Sequence, residues 1–278
     1  MWREVTVWVD GKLVDPAEAR VSVFDHGLTV GDGVFETVKV AAGQPFALTR
    51  HLNRLVRSAA GLDLPTPELA AVRSAIADVL VADAPPQPGR LRITYTGGVS
   101  PLGSDRGKAP PTLIVVLAPL QPRSPTTAAA TVPWPRNDLG ALAGVKTTSY
   151  AENVVALARA KAVGASEAFL PNTRGNLCEG TGSNIFLAFG ERLVTPPLSS
   201  GCLAGVTRAL VLEWVGGEEA DVPMPALADA DEIFLTSATR DVQPVHAVDG
   251  RALAAAPGPV TRRAMEIYAE RSAADSDP

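Results

Sequence analysis

The chain has 278 residues, a formal net charge of −5 at pH 7 and 46% hydrophobic residues, with a pI near 5.3 and mean hydropathy of +0.12. Scattered arginines in an acidic chain leave no basic footprint for nucleic acid, and no apolar run is long enough to span a bilayer. The length suits one large or two medium domains. The start "MWREVTVWVDGKLV" lacks a basic segment followed by an apolar one, so no secretory signal is expected. Cys178 and Cys202 have neither metal-ligand nor disulfide-framework spacing, and buried thiols in a soluble cytoplasmic protein are the expectation.

From the N-terminus, "VTVWVDGKLVDP" alternates apolar and polar residues around Asp10-Gly11, a type I′ hairpin signal. A second strand pair, "GVFETVKVAAGQPFAL", turns at Ala42-Gly43. In "TRHLNRLVRSAAGL", Leu52, Leu55, Val56 and Ala59 fall at i, i+3, i+4 and i+7, predicting a helix closed by Gly61. Another helix is expected to start at Thr66-Pro67, a cap with proline at the first helical position, with Leu69, Val72, Ile76, Val79 and Leu80 as its apolar stripe. "DAPPQPGR" reads as a turn, and "RLRITYTGG" and "TLIVVLAPL" read as strands. The glycine- and proline-rich loop between those strands, "GGVSPLGSDRGKAPP", has the character of a functional loop. The pattern predicts a small α+β domain over residues 1–120, a linker over 121–127 and a larger domain over 128–278.

The second half opens with the strand "AAATVPW" and reaches Lys146 where a helix is about to begin. That helix, "SYAENVVALARAKAVG", is expected to turn Val154, Val155, Leu157, Ala158 and Ala162 inward and to end at Gly164. Short strands follow in "EAFLPNTRGNLCEG" and "SNIFLAFGERLVTP", then a helix over "SGCLAGVTRALVLEWV" and the strand "DEIFLTSAT". A last helix runs from about Pro259 to Arg271. The expected architecture is a mostly antiparallel barrel or sheet wrapped by helices.

Several familiar motifs fail. "GDGVFE" ends in Glu36 where the third glycine of a dinucleotide loop belongs. His26, His51 and His246 lie far apart, so no metal site is expected. "GVSPL" lacks the closing glycine of a nucleophile elbow. What remains is a scattered set. Lysine is rare here, and Lys146 is an amine that can lose its proton and attack a carbonyl, as arginine cannot. In "AGVTRAL", Gly205, Val206 and Thr207 offer backbone N–H groups and a hydroxyl at a helix start, either for a phosphate or as a plain capped helix. Arg54 is either a phosphate clamp or part of a solvated face with Arg50 and Arg57. Glu179, between apolar residues and Gly180, is either a structural acid or the partner of a cationic ring nitrogen. Lysine, acid, phosphate-type helix start and arginine together make the inventory that pyridoxal phosphate requires.

The stretches "DHGLTVGDGVFETVKV", "HLNRLVRSA", "AGVKTTSYAENVVALARA", "LCEGTGSNIF", "VTPPLSSGCLAGVTR" and "IFLTSATRDVQPV" carry a resemblance that covers nearly the whole chain. The sequence resembles the fold-type IV pyridoxal phosphate enzymes, which include branched-chain aminotransferases, D-amino acid aminotransferases and 4-amino-4-deoxychorismate lyases. The resemblance implies a two-domain, D-amino acid aminotransferase-like fold with a small N-terminal α/β domain and a larger barrel-like C-terminal domain. It also implies pyridoxal 5′-phosphate, a small-molecule amino substrate and a homodimer.

Residue by residue, Lys146 resembles the lysine that binds the cofactor aldehyde, and Arg54 resembles the phosphate arginine. Glu179 resembles the acid at the pyridine nitrogen, Leu203 the side chain packed on the ring, and Tyr150 the tyrosine at the ring hydroxyl. Val206 and Thr207 resemble phosphate binders. Ala238 falls where relatives carry a phosphate-binding threonine, with Thr239 beside it. Phe35 and Lys39 match substrate-side positions, and Arg106 could meet a substrate carboxylate. Implied roles are proton transfer at the substrate α-carbon by Lys146 and electrostatic support by Glu179.

Leu102 and Ser104 stand where well-known D-amino acid aminotransferases carry a carboxylate-binding arginine and histidine. The spacing from Lys146 to Tyr150 is shorter than is usual in branched-chain aminotransferases. With the loop "SPLGSDRG", these features favour a lyase of the folate pathway that releases pyruvate and 4-aminobenzoate. A transaminase acting on D-amino, branched-chain or other amino acids is the alternative, and a non-catalytic pyridoxal phosphate or metabolite binder is the remote one.

Overall fold

The computed structural model describes residues 4–82 and 87–278. The first three residues of the strand-like start, and part of the turn expected over residues 83–90, lie outside the described residues. The chain forms two compact units. One comprises Met1–Gln121, Val145–Ser149 and Ser276–Pro278, and the other Pro122–Gly144 and Tyr150–Asp275.

In the first unit, β1 (Thr6–Val9) and β2 (Lys12–Val14) meet at Asp10 and Gly11, whose φ angles of 42° and 99° suit the expected turn. A short helical turn, α1 (His26–Thr29), precedes β3 (Gly33–Ala41), which turns at Ala42-Gly43 into β4 (Gln44–Pro45). Helices α2 (Leu48–Gly61) and α3 (Leu69–Val81) follow, then β5 (Gly89–Thr96) and β6 (Thr112–Pro119). The strands form one antiparallel sheet in the order β2-β1-β6-β5-β3-β4. Leu52, Leu55 and Ala59 of α2 and Val72, Ile76 and Val79 of α3 pack with Val34, Val38, Leu91, Ile93 and Leu117 of the sheet. Because side chains alternate along a strand, Phe35 and Lys39 of β3 and Arg92 and Thr94 of β5 belong to the opposite face.

One helix start differs from expectation. α3 begins beyond Thr66-Pro67, because the carboxylate of Glu68 accepts from the N–H groups of Ala70 (3.2 Å) and Ala71 (2.9 Å) and makes the cap. α2 has an alanine at its N-cap, Ala47. Its first-turn donors are met from the other end of the chain: Thr49 N–H donates to Asp277 Oδ1 at 2.7 Å, and Ala47 N–H to the carbonyl of Ser276 at 2.7 Å.

Residues 145–149 belong to this unit rather than to the second. They run along the Gly33–Phe35 end of β3, with Thr147 opposite Val34. Phe35 N–H donates to the Lys146 carbonyl at 3.0 Å, and Thr148 N–H to the Gly33 carbonyl at 2.7 Å. The expected single break between domains is therefore crossed again by this short strap.

The second unit contains β7 (Thr127–Thr131), α4 (Ala151–Ala162), β8 (Glu167–Pro171), β9 (Leu177–Gly180), β10 (Asn184–Phe189) and β11 (Arg192–Thr195). Then come α5 (Val206–Trp214), β12 (Glu218–Glu219), β13 (Glu232–Ser237), β14 (Asp241–Val248), β15 (Arg251–Ala252) and α6 (Pro259–Ala274). The sheet order is β12-β11-β10-β13-β14-β7-β8-β9, with β15 added on β14. β7 runs parallel to both β14 and β8, and β11 parallel to β12, in an otherwise antiparallel sheet. Its core includes Phe169, Leu177, Ile185, Leu187, Ile233 and Leu235, beside a stacked Phe186–Phe234 pair at 4.9 Å.

Helix α4 turns a different face inward from the one expected. Asn153, Ala156 and Ala160 are buried, whereas Val154 and Val155 are 64% and 53% exposed. The amide of Asn153 is inside because it is hydrogen-bonded on both its atoms, to Thr181 and to Arg136. No described helix is long and apolar enough to cross a membrane.

Candidate active site

In the first unit the strap fixes Lys146 through its backbone, whose N–H donates to Ser58 Oγ on α2 at 3.2 Å. Its Nζ lies 4.2 Å from the centroid of the Phe35 ring. The guanidinium carbon of Arg92, on the neighbouring strand β5, lies 3.4 Å from the same centroid. One aromatic ring thus carries two cations, an arrangement that the negative face of the ring makes favourable. Lys39 occupies the same face of β3 as Phe35.

Arg54 is buried on α2 and faces the other side of β3. Its Nε and Nη2 donate to the two carboxylate oxygens of Glu36 at 2.8 and 2.7 Å, a bidentate pair. The Nδ1 of His51 is 2.7 Å from Glu36 Oε2. Burial raises the Glu36 carboxyl, but Arg54 and His51 outweigh it and hold Glu36 far below the usual carboxylate range. Burial pushes the His51 imidazole down, so it is neutral and donates Nδ1–H to Glu36.

Arg106, expected to meet a substrate carboxylate, is engaged otherwise. Its Nε and Nη2 donate to Asp32 at 2.6 Å each, and its Nη1 donates to the Asp63 carbonyl at 2.8 Å. The carbonyl of Leu62 takes a further bond. Asp32 also accepts from His26 at 2.8 Å, while His26 Nε2 meets the Gly103 carbonyl at 2.9 Å. The hydrogen bond to Asp32 raises His26, and Asp32 is held below its ordinary value by Arg106 and His26 despite burial. Arg106 is a clasp that folds the loop between β5 and β6 back onto its own unit.

In the second unit, Glu179 is held from two sides. Arg136 Nε lies 3.1 Å from Oε1, and the N–H of Leu203 donates to Oε2 at 2.9 Å. Arg136 Nη1 donates in turn to Asn153 Oδ1 at 3.2 Å. Leu203 is anchored by its carbonyl, which accepts from Asn184 Nδ2 at 2.8 Å. Cys178 and Cys202, the sequence neighbours of Glu179 and Leu203, are buried, and burial pushes both thiols up, Cys202 to about 11.

α5 begins at Val206 and Thr207, both buried, and among the described residues no side chain caps it. A Cβ at Gly205 would stand 2.0 Å from Asn184 Oδ1, so a side chain there would displace the Asn184 amide. Backbone donors are left at this helix start in the manner that suits an anion. Ala238 and Thr239 form the half-buried turn between β13 and β14. Tyr150 sits at the N-cap of α4 without capping it by its side chain.

The chain matches the family model "Amino-transferase class IV" over residues 33–248. It belongs to the class IV aminotransferases. The family's cofactor is pyridoxal 5′-phosphate, and the donors here fit it: an amine beside an aromatic ring, a carboxylate fixed in direction, a buried arginine and an uncapped helix start. The chain is 32% identical to a D-alanine aminotransferase from Bacillus licheniformis, covering 92% of this chain and 93% of that one. It is 29% identical to the bifunctional aminodeoxychorismate lyase / D-amino acid transaminase of Mycobacterium tuberculosis, covering 96% of each. A hypothetical aminotransferase from Mycobacterium tuberculosis, solved in a PLP-bound form, superposes with a TM-score of 0.86 at 28% identity, covering 99% of this chain and 100% of that one.

Sequence reasoning missed Glu36, Arg92, Arg136 and Asn153. Glu36 had a signal: it occupies the inward phase of β3, alternating with Val34, Val38 and Val40, where an acid requires a partner. Arg136 had none, since its partner Glu179 is forty-three positions away.

Proposed function

We propose that this chain is a pyridoxal phosphate-dependent transaminase whose substrate pair includes a dicarboxylate. The observation that carries the reading is Arg92, stacked on Phe35 within one ring of the Lys146 amine. A cation at that place can hold a substrate's second carboxylate while its amino or oxo carbon lies at Lys146. When bound, the cofactor supplies an aldehyde that accepts the amino group and a cationic ring that draws electrons from the α-carbon.

In this reading Lys146 would hold the cofactor, and its amine would carry the proton at the substrate α-carbon. Glu179, aimed by Arg136 and the Leu203 N–H, would pair with the ring nitrogen and keep it protonated. Arg54, oriented by Glu36, would serve the phosphate; the N–H groups of Val206 and Thr207 and the turn at Ala238-Thr239 are also suited to a phosphate. Tyr150 would meet the ring hydroxyl, Leu203 would pack on the ring, and Phe35 and Lys39 would border the substrate.

A lyase forming pyruvate and 4-aminobenzoate is the second reading, supported by the bifunctional relative. Arg106, the carboxylate holder expected for that reaction, donates to Asp32 and to two carbonyls in this structure. The loaded protein, mixed with L-glutamate, L-leucine or D-alanine, is expected to convert its chromophore to the pyridoxamine form. Arg92→Met is expected to raise KM for 2-oxoglutarate about tenfold or more, the scale of one charge-assisted pair, and to spare a monocarboxylate acceptor. Release of 4-aminobenzoate from aminodeoxychorismate without the chromophore change would select the lyase instead.

The proposal includes a homodimer. Val23, Phe24, Leu28 and Leu102 are 70%, 50%, 66% and 74% exposed in the first unit, an apolar surface suited to a second copy. Light scattering is expected to give twice the 28.9 kDa chain mass, and Leu28→Asp to return it toward one. A wild-type monomer at micromolar concentration would remove this part of the reading.

A further inference from the structure

Glu167, at the start of β8, is fully buried. Every partner of its carboxylate is a donor. Oε1 accepts from Thr181 N–H at 2.9 Å, from the Thr181 hydroxyl and from its neighbour Ala168 N–H at 3.0 Å. Oε2 accepts from Ser183 Oγ at 2.9 Å and pairs with Arg240 Nη2 at 3.0 Å. Arg240 is itself oriented, because its Nη1 donates to Gln243 Oε1 at 2.8 Å, and Gln243 Nε2 donates to the Ser124 carbonyl at 2.8 Å.

These partners sit at two places that matter. Thr181 and Ser183 form the turn directly after Glu179. The Thr181 carbonyl accepts from Asn153 Nδ2 at 2.6 Å, and Asn153 takes the bond from Arg136, which holds Glu179. The loop of contacts therefore closes: Glu179 to Arg136, to Asn153, to Thr181, and back along two peptide units. Glu167 pins the Thr181 corner of that loop. The packing is close enough to restrict Gly180, where a Cβ would stand 2.4 Å from Ser183 Oγ and 3.1 Å from Glu167 Cδ. On its other side Glu167 grips Arg240, the residue after Ala238 and Thr239.

We propose that Glu167 and Arg240 are a positioning pair that fixes the direction of the Glu179 carboxylate and ties it to the turn carrying Ala238 and Thr239. The inference rests on the reading that Glu179 serves the ring nitrogen and that turn the phosphate. Neither residue touches the cofactor in this account. Their work is to keep two of its holders in one frame, so that ring and phosphate are met together. A buried charge pair of this kind is costly to break singly, since the remaining partner keeps its charge without compensation, and buried polar networks behave as units.

The test uses the full chain freed of cofactor and titrated with pyridoxal 5′-phosphate. Wild type, Glu167→Gln, Arg240→Met and Arg240→Lys are compared by Kd, by the pH dependence of the bound cofactor's visible absorbance and by the melting midpoint of the free protein. Glu167→Gln and Arg240→Met are expected to raise Kd about tenfold or more, which is about 1.4 kcal/mol, and to move the pH at which the absorbance changes. Arg240→Lys is expected to stay within about threefold, and the double variant Glu167→Gln/Arg240→Met to be no worse than the worse single one, as coupled residues behave. A lower melting midpoint with wild-type Kd and pH profile would overturn the positioning role and leave a structural one. Should Glu167→Gln not fold, Arg240→Met, altered at a partly accessible side chain, decides alone. If wild type itself does not bind pyridoxal phosphate, the proposed function falls first and this inference with it.

Discussion

Lys146→Ala is expected to lose covalent attachment of the cofactor, and its turnover to fall by roughly 10⁴-fold or more, since the proposed role makes this amine both the attachment point and the proton carrier at the α-carbon. Cofactor binding itself is expected to survive, weakened, through Arg54, the α5 start and the Glu179 side. Titration with pyridoxal phosphate should therefore give a bound species with the absorbance of the free aldehyde. Lys146→Arg is expected to fail equally, because it keeps the charge over Phe35 but not an amine that can attack. Wild-type absorbance in either variant would remove Lys146 from its role.

Glu36→Gln is expected to destabilise the protein by about 3–5 kcal/mol, because the amide keeps the shape but leaves the Arg54 guanidinium buried without its counter-charge. Bound cofactor should reduce the loss, as a phosphate gives Arg54 a second anion. The pH dependence carries a sign. The folded pKa of Glu36 is depressed, so its contribution is complete above the unfolded carboxylate value of about 4.3 and is lost as pH falls through the folded value. Urea unfolding between pH 3 and pH 7 should show the wild-type advantage at the upper end, shrinking toward the lower. An unchanged midpoint for Glu36→Gln at pH 7 would refute the buried pair as a stabilising element.

Features legible in the sequence were those decided within a few residues. Asp10-Gly11 and Ala42-Gly43 announce their hairpins because both turns need positive φ, and Leu52, Leu55 and Ala59 mark the buried stripe of α2 by spacing alone. What long-range contacts decide was not legible. The inward face of α4 follows the amide of Asn153 and its distant partners rather than the valines beside it. The start of α3 moved to Leu69 because the carboxylate of Glu68 reached two N–H groups. Lys146 rests on β3 of the first unit, a pairing across more than a hundred residues. Glu36 stood out only as a failed third glycine, although its strand phase pointed inward beside the arginine helix.

The resemblance named Glu179, Arg54 and Arg106, and the fold supplies the charges that stand beside them. Arg54 is turned by Glu36, Glu179 by Arg136, and Arg106 is closed on Asp32. Each is a contact in which one member is ordinary by composition and acquires its meaning from a partner far along the chain.

The central claim is that the ε-amine of residue 146 bears the cofactor, and hydride reduction of the loaded protein tests it most directly. Borohydride treatment followed by proteolysis and mass spectrometry should place one phosphopyridoxyl group on the peptide containing Lys146. That group on Lys12, Lys39, Lys108 or Lys161, or on no lysine at all, would contradict it.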